Sequence, residues 1–309
     1  MLEHTPVLLE EVLVALQVHS GGCYFDATFG RGGHTAAILE GVGAQGRVIA
    51  LDRDAQAIRA GHARFAADSR LSLVGSPFSR IAEVARAGGV MGGVDGVLLD
   101  LGVSSPQLDD AARGFSFAQD GPLDMRMDNS AGMTAADFIA RAAEPEIARV
   151  LKEFGEERFA RRIARAIVAA RTATPLTRTL QLAEIIARAV PGREPGKHPA
   201  TRSFQAIRIL VNGEFGEIDA ALDASLEVLA PGGRLCAISF HSLEDGIVKR
   251  FIARHSQADP VYAGLPSMPA HALPRLRRIG RTIHPSAAEV ARNPRARSAL
   301  LRVAERVVA

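Results

Sequence analysis

Apolar positions along the chain switch repeatedly between helical and strand spacing. Residues 8, 9, 12, 13 and 16 recur as one helical face, with Thr5 as candidate N-cap and Pro6 in the first turn. A short apolar run then ends on Asp26, and the stretch Asp26-Ala-Thr-Phe-Gly-Arg-Gly-Gly-His34 passes through a glycine-rich turn into a helix at 35–40. Strand Arg47–Asp52, helix 55–67, strand Leu71–Gly75 and strand Val94–Asp100 follow. Strands alternating with helices imply an α/β fold, a parallel sheet joined by right-handed crossovers.

From 107 to 201 the strand signal disappears. Helical spacing covers 134–142, 144–152, 156–170 and 180–189, and the turn-rich segment 191–199 reads as a hinge. A helix then runs from 201 to 229, and an apolar strand at 234–240 exits through His241-Ser-Leu-Glu-Asp245 into another helix. Beyond His255 the sequence turns Pro- and Arg-rich before a closing strand at 299–308. The expected organisation is a sheet domain of 1–106 and 202–309 carrying an inserted helical domain of 107–201.

In an open parallel sheet, ligands bind outside the carboxyl ends of the strands. Gly30, Gly32, Gly33, Asp52, the Ser76-Pro-Phe-Ser79 turn, Asp100 and His241 all fall on that rim. Glycines let the backbone approach a ligand, and the free N–H groups at the following helix start favour polar or anionic groups. Asp52 lies about 20 residues beyond the loop, where a ribose needs a hydroxyl acceptor; a solvated strand end is the competing explanation. Thr35 stands where a dinucleotide fingerprint wants Gly or Ala. An adenosine cofactor without pyrophosphate, such as S-adenosyl-L-methionine, therefore fits better than a nicotinamide.

The 309 residues are 47% hydrophobic, ample for a core. No apolar run approaches the roughly 18 to 20 residues of a membrane span, and the first residues carry acids rather than a basic leader, so a cytoplasmic address without membrane attachment is expected. Cys23 and Cys236 each lie in an apolar run without a second Cys or His at ligand spacing, so neither a disulfide nor a metal site is expected. The net charge of +3 is unevenly spread: 1–110 hold 8 Lys/Arg against 13 Asp/Glu, and 271–309 hold 9 against 2. That tail suggests a polyanionic partner, although Arg-rich composition alone gives the same count. The helix at 156–170 sets Arg158, Arg161, Arg162 and Arg165 along its polar side, as a nucleic-acid contact or a solvated face. No heptad run argues for a coiled coil, leaving monomer and homodimer open.

Several long motifs occur in one order: His4-Thr-Pro-Val-Leu, Asp26-Ala-Thr-Phe-Gly-Arg-Gly-Gly-His34, Asp52-Arg-Asp, Gly75-Ser-Pro-Phe-Ser79, Asp100-Leu-Gly-Val-Ser-Ser-Pro-Gln-Leu-Asp109, Arg113-Gly-Phe-Ser-Phe117, Arg202-Ser-Phe-Gln-Ala-Ile-Arg208 and Ser239-Phe-His-Ser-Leu-Glu-Asp245. Together they resemble the MraW family of bacterial 16S rRNA (cytosine-N4)-methyltransferases, nearly end to end. The resemblance implies a class I (Rossmann-like) methyltransferase fold with a mainly parallel seven-stranded sheet and a helical substrate-recognition insertion. It implies S-adenosyl-L-methionine as cofactor and, as partner, 16S rRNA in the decoding region of the small ribosomal subunit. Carried over by motif, the cofactor contacts are Gly32, Gly33, His34, Asp52, Phe78, Asp100 and Gln107.

Methylating an exocyclic amine requires an acceptor for the amine hydrogens, because the nitrogen lone pair is conjugated into the ring. Asp100 is the first candidate and His241 a candidate proton relay. The stretch Asp100-Leu-Gly-Val lacks the aromatic that many amine-directed methyltransferases place at this strand end to stack the base. A nicotinamide-dependent oxidoreductase and a non-catalytic ribosome-assembly factor are the readings from other classes.

Overall fold

The side-chain alternation seen in the sequence becomes a two-faced sheet. In the computed structural model, which describes residues 6–192, 198–262, 267–269 and 272–307, the described residues form strands β1 (Cys23–Asp26), β2 (Arg47–Asp52), β3 (Leu71–Gly75), β4 (Val94–Asp100), β5 (Leu229–Ser239), β6 (Leu276–Ile283) and β7 (Leu300–Arg306). Their spatial order is β3-β2-β1-β4-β5-β7-β6. The pairs among β1 to β5 are parallel, and β7 runs antiparallel to both β5 and β6. From β1 the chain moves outward to β2 and β3, then returns to β4 on the other side. The carboxyl ends of β1 and β4 thus flank the topological switch point.

The helices are α1 (Leu9–Leu16), α2 (Gly33–Val42), α3 (Ala55–Arg64), α4 (Ile81–Ala87), α5 (Ser105–Asp109), α6 (Ala135–Arg141), α7 (Glu144–Gly155), α8 (Ala160–Ala173), α9 (Thr179–Ala189), α10 (Thr201–Asn212), α11 (Glu214–Val228), α12 (Ser242–His255) and α13 (Ala287–Arg292). Successive strand residues point to opposite faces. Phe25, Ile49, Val97, Leu99 and Ala237 pack with Ile81 of α4, Leu222 of α11 and Val248 of α12. Tyr24, Val48, Leu98, Cys236 and Ile238 pack on the other face with Val12 and Leu16 of α1 and Ile38 of α2. Each large side chain fully buried here contributes roughly 1.5–3 kcal/mol.

Contacts divide the chain into two units, Met1–Gly102 with Phe215–Ala309, and Val103–Glu214. The second is helical and has its own core of residues such as Ile139, Val150, Ile163, Ile186 and Ile207. The expected return to the sheet domain at 202 differs from this division, because α10 packs inside the helical unit. Gly155 at the end of α7 permits it: a Cβ there would lie 2.5 Å from the Arg202 carbonyl. The single helix expected over 201–229 breaks at Gly213, which takes φ +60 between α10 and α11. The Thr5 cap and the hinge positions 193–197 fall outside the described residues.

The strand β6 was not expected. Its sequence, Leu276-Arg-Arg-Ile-Gly-Arg-Thr-Ile283, has arginines where alternation would want apolar residues. As an edge strand it needs only one good partner, and exposed charge on an edge discourages further strand pairing. Among the described residues no helix is long and apolar enough to cross a membrane.

Candidate functional site

Within the sheet unit, three carboxylates mark the strand ends at the switch point. Asp26 closes β1 and is buried; its Oδ2 accepts from the Thr35 hydroxyl at 2.6 Å and its Oδ1 from the Thr28 amide at 3.2 Å. Burial pushes its carboxyl above the usual range. Thr35, whose side chain argued against a dinucleotide, is thus the brace that ties the start of α2 to β1.

Asp52 closes β2. Its Oδ2 accepts from the Gly30 amide and its Oδ1 from the Asp54 amide, both at 2.8 Å. Each oxygen keeps a further lone pair, so the group fixes the glycine loop and can still receive hydroxyls. Burial, offset in part by those two amides, moves its carboxyl up to about 6.

Asp100 closes β4. Its amide donates to the Thr28 hydroxyl at 2.7 Å, and its Oδ2 lies 3.8 Å from Nδ1 of His34. Its Oδ1 is buried without a hydrogen-bond partner. Burial first, then Asp26 and Glu244, raise its carboxyl to about 6 against the opposing pull of His34. An unengaged carboxylate oxygen in such a place is costly unless a ligand meets it.

His34 is buried in the first turn of α2, where its Nε2 lies 3.0 Å from the Val7 carbonyl. The Val7 carbonyl accepts from a proton on Nε2, and Nδ1 faces Asp100. Gly32 and Gly33 are set by packing: a Cβ would lie 2.6 Å from the Phe29 ring at Gly32, which also has φ +69, and 2.3 Å from Cγ of Pro6 at Gly33. Substituting Gly33→Ala is expected to cost about 1–3 kcal/mol of stability by overpacking, read as a lower denaturation midpoint.

His241 caps α12 from the end of β5. Its Nδ1 accepts from the Glu244 amide at 3.4 Å, and its Nε2 lies 2.9 Å from Oε1 of Glu244. Glu244 is itself buried; its Oε2 accepts from the Phe240 amide at 3.0 Å, and a methyl on Gly102 would lie 3.8 Å from its Oε1. Both nitrogens of His241 therefore lie against Glu244. Phe78 is half-buried beside the β3 exit, against the same apolar layer as β1 and β4.

Gln107 falls in the helical unit. It is buried in the first turn of α5, where its Oε1 accepts from the Ser104 amide at 3.0 Å in a capping box. Of the tail arginines, Arg277 pairs with Glu305 across β6 and β7, whereas Arg275, Arg278 and Arg281 are exposed. Cys236 is buried and Cys23 half-buried, and burial raises both thiols. Among the described residues no cluster of three His, Cys, Asp or Glu forms a metal site.

Asp26 and Glu244 went unmarked in the sequence reading. Asp26 had a signal, an acid at the end of the strand before a glycine loop with a hydroxyl nine residues on. Glu244 had only its place three residues after His241.

The sheet order with its antiparallel seventh strand, and the acid-lined rim at the switch point, define a class I methyltransferase. The chain belongs to the MraW methylase family, whose profile matches residues 1–307. Three solved structures are similar to it. They are an rRNA methylase from Streptococcus thermophilus (12% identity, 100% of both chains covered, TM-score 0.44), SMU.1697c from Streptococcus mutans in complex with SAH (12% identity, 98% of this chain and 100% of that one, 0.43) and a SAM-dependent O-methyltransferase from Thermotoga maritima (11% identity, 100% and 69%, 0.44). At scores this low the likenesses carry no weight of their own.

The cofactor is S-adenosyl-L-methionine, and the rim suits it chemically. Asp52 offers acceptors for two adjacent hydroxyls, and the unpartnered Asp100 oxygen suits a nearby cation. Both roles favour the ionised carboxylates, whereas protein burial alone favours the protonated forms. Asp26, Asp54, His34 and Glu244 are the charged neighbours of the two groups. Without cofactor, raised carboxyls make stability fall as pH rises from about 4 through about 6. Cofactor affinity should do the opposite, weakening roughly tenfold at pH 5 relative to pH 8 as Asp52 takes up a proton. Calorimetric titration at the two pH values tests this; equal affinities would show that the Asp52 carboxylate does not meet the ligand.

Proposed function

We propose that this chain transfers the methyl group of S-adenosyl-L-methionine to the exocyclic N4 amine of a cytidine in 16S rRNA, in the decoding region of the small ribosomal subunit. The observation that carries the reading is Asp100, a carboxylate at the switch point with one buried oxygen left unengaged and a carboxyl raised to about 6. The agreement of motifs along the chain with the rRNA cytosine-N4 methyltransferases supplies the base and the atom.

The cofactor supplies an electrophilic methyl on a sulfonium. Gly32, Gly33 and His34 are assigned to its amino-acid end, Asp52 to the ribose hydroxyls, Phe78 to the adenine face, and Asp100 and Gln107 to the sulfonium side. The nucleophile is a poor one, its lone pair delocalised into the ring. Asp100 accepts a hydrogen bond from the amine, draws the nitrogen toward tetrahedral geometry and takes the proton released on transfer. A carboxyl near 6 is ionised at neutral pH yet basic enough for that task. The His241–Glu244 pair relays the proton outward. Holding the amine in line with the methyl supplies much of the rate. The helical unit, Val103–Glu214, presents the RNA, and the reaction takes place in the cytoplasm.

Transfer from labelled cofactor to three substrates in parallel tests the proposal: free 16S rRNA, assembled small subunits lacking the modification, and large-subunit RNA. Labelling confined to the assembled small subunit is the expected result. Labelling of large-subunit RNA alone, or of none while the cofactor still binds, would overturn it.

A further inference from the structure

We propose that the outer face of α8 is a docking surface for an RNA phosphodiester backbone. The inference rests on the RNA substrate argued above and gives it a place on the helical unit. Between Glu157 and Glu184 the chain has six arginines and no acidic residue. Two of the six are spent inside the unit. Arg171 donates to the carbonyls of Ile139 at 2.5 Å and Ala142 at 2.7 Å, and Arg178 holds the Asp120 carboxylate at 2.5 Å.

The other four, Arg158, Arg161, Arg162 and Arg165, are exposed. Their spacing of three, four and seven residues sets them on one face of α8 and the turn before it, because Ala160, Ile163, Ala164 and Ile167 are buried on the opposite face. Arg165 approaches Glu144 at 3.8 Å with both side chains exposed, a contact worth little. The acid next to Arg158, Glu157, is turned inward and accepts from the Phe159 amide at 3.0 Å, so it does not neutralise the stripe. Elsewhere in the unit arginines have structural work. Arg113 donates to the Met127 carbonyl, Arg126 pairs with Asp124, and Arg208 pairs with Glu214.

Among the described residues of the unit, the unneutralised stripe is therefore particular to α8. Seven residues of helix span about 10 Å. A nucleic-acid strand advances about 3.4 Å per phosphate along its axis, so the stripe matches about three phosphates. Arginine's planar fork suits phosphate oxygens. At its Arg158 end the stripe meets a cleft of about 270 Å³ lined also by Glu157, His198, Thr201 and Arg202.

The test compares full-length wild type with the triple variants Arg161→Ala/Arg162→Ala/Arg165→Ala and Arg161→Lys/Arg162→Lys/Arg165→Lys. Affinity for unmodified small subunits is measured from 50 to about 300 mM salt, with cofactor affinity and thermal midpoint recorded beside it. The alanine variant should bind RNA about 10- to 100-fold more weakly at low salt, with the salt slope reduced by about two. Its cofactor affinity should stay unchanged, and the lysine variant should retain most of the slope. A wild-type slope in the alanine variant would overturn the proposal while leaving the methyltransferase reading intact. A wild type that binds no RNA at any salt would overturn both.

Discussion

Asp100→Asn removes methyl transfer while leaving S-adenosyl-L-methionine affinity within a few-fold of wild type. The substitution keeps shape and one acceptor oxygen but removes the charge, and with it the ability to take a proton from the amine. Proton transfer by a positioned group contributes typically 10²- to 10⁴-fold, and a fall of about that size is expected in single-turnover transfer. The side chain stays in place because its surroundings hold it from the backbone: the Asp100 amide is bound by the Thr28 hydroxyl, itself on the turn fixed by Asp26. Loss of binding and transfer together would make Asp100 a cofactor ligand only.

Asp52→Ala should have the opposite signature, losing cofactor binding first. The carboxylate holds the loop through the Gly30 amide and, in the proposed complex, receives the ribose hydroxyls. Hydrogen bonds to a charged group are worth about 1.5–3 kcal/mol each, so removal should raise the cofactor Kd about 100-fold or more. Saturating cofactor should then restore most of the turnover, a recovery that Asp100→Asn cannot show. An Asp52→Ala protein that binds cofactor normally would place the ribose elsewhere.

The contrast between these carboxylates explains what could be read from the chain in advance. Strands β2, β3 and β4 were legible to the residue because each is a short apolar run closed by Asp52, Gly75 or Asp100. Their parallel pairing followed from the alternation with helices, whereas their order in space came only from the structure. The glycines of the loop suggest a cofactor turn by pattern alone, whereas the structure ties Gly32 and Gly33 to packing against Phe29 and Pro6, a cause that local sequence does not carry. Partnership between distant residues was likewise hidden: Thr35 bracing Asp26, and Glu244 facing both His241 and the Asp100 strand end. The edge strand β6 was obscured by its arginines, and α10 by a turn that resembled a return to the sheet. Arg277 shows the same limit, since its pairing with Glu305 depends on a strand register invisible in composition.

Identification of the methylated nucleoside tests the central claim most directly. Small subunits lacking the modification are incubated with wild-type protein and labelled cofactor, digested to nucleosides and separated against standards by mass and retention. N4-methylcytidine is the predicted product, absent when Asp100→Asn replaces the wild type. A methyl group on a ring carbon, on another base or on a ribose hydroxyl would contradict the proposed role of Asp100 as acceptor for an exocyclic amine.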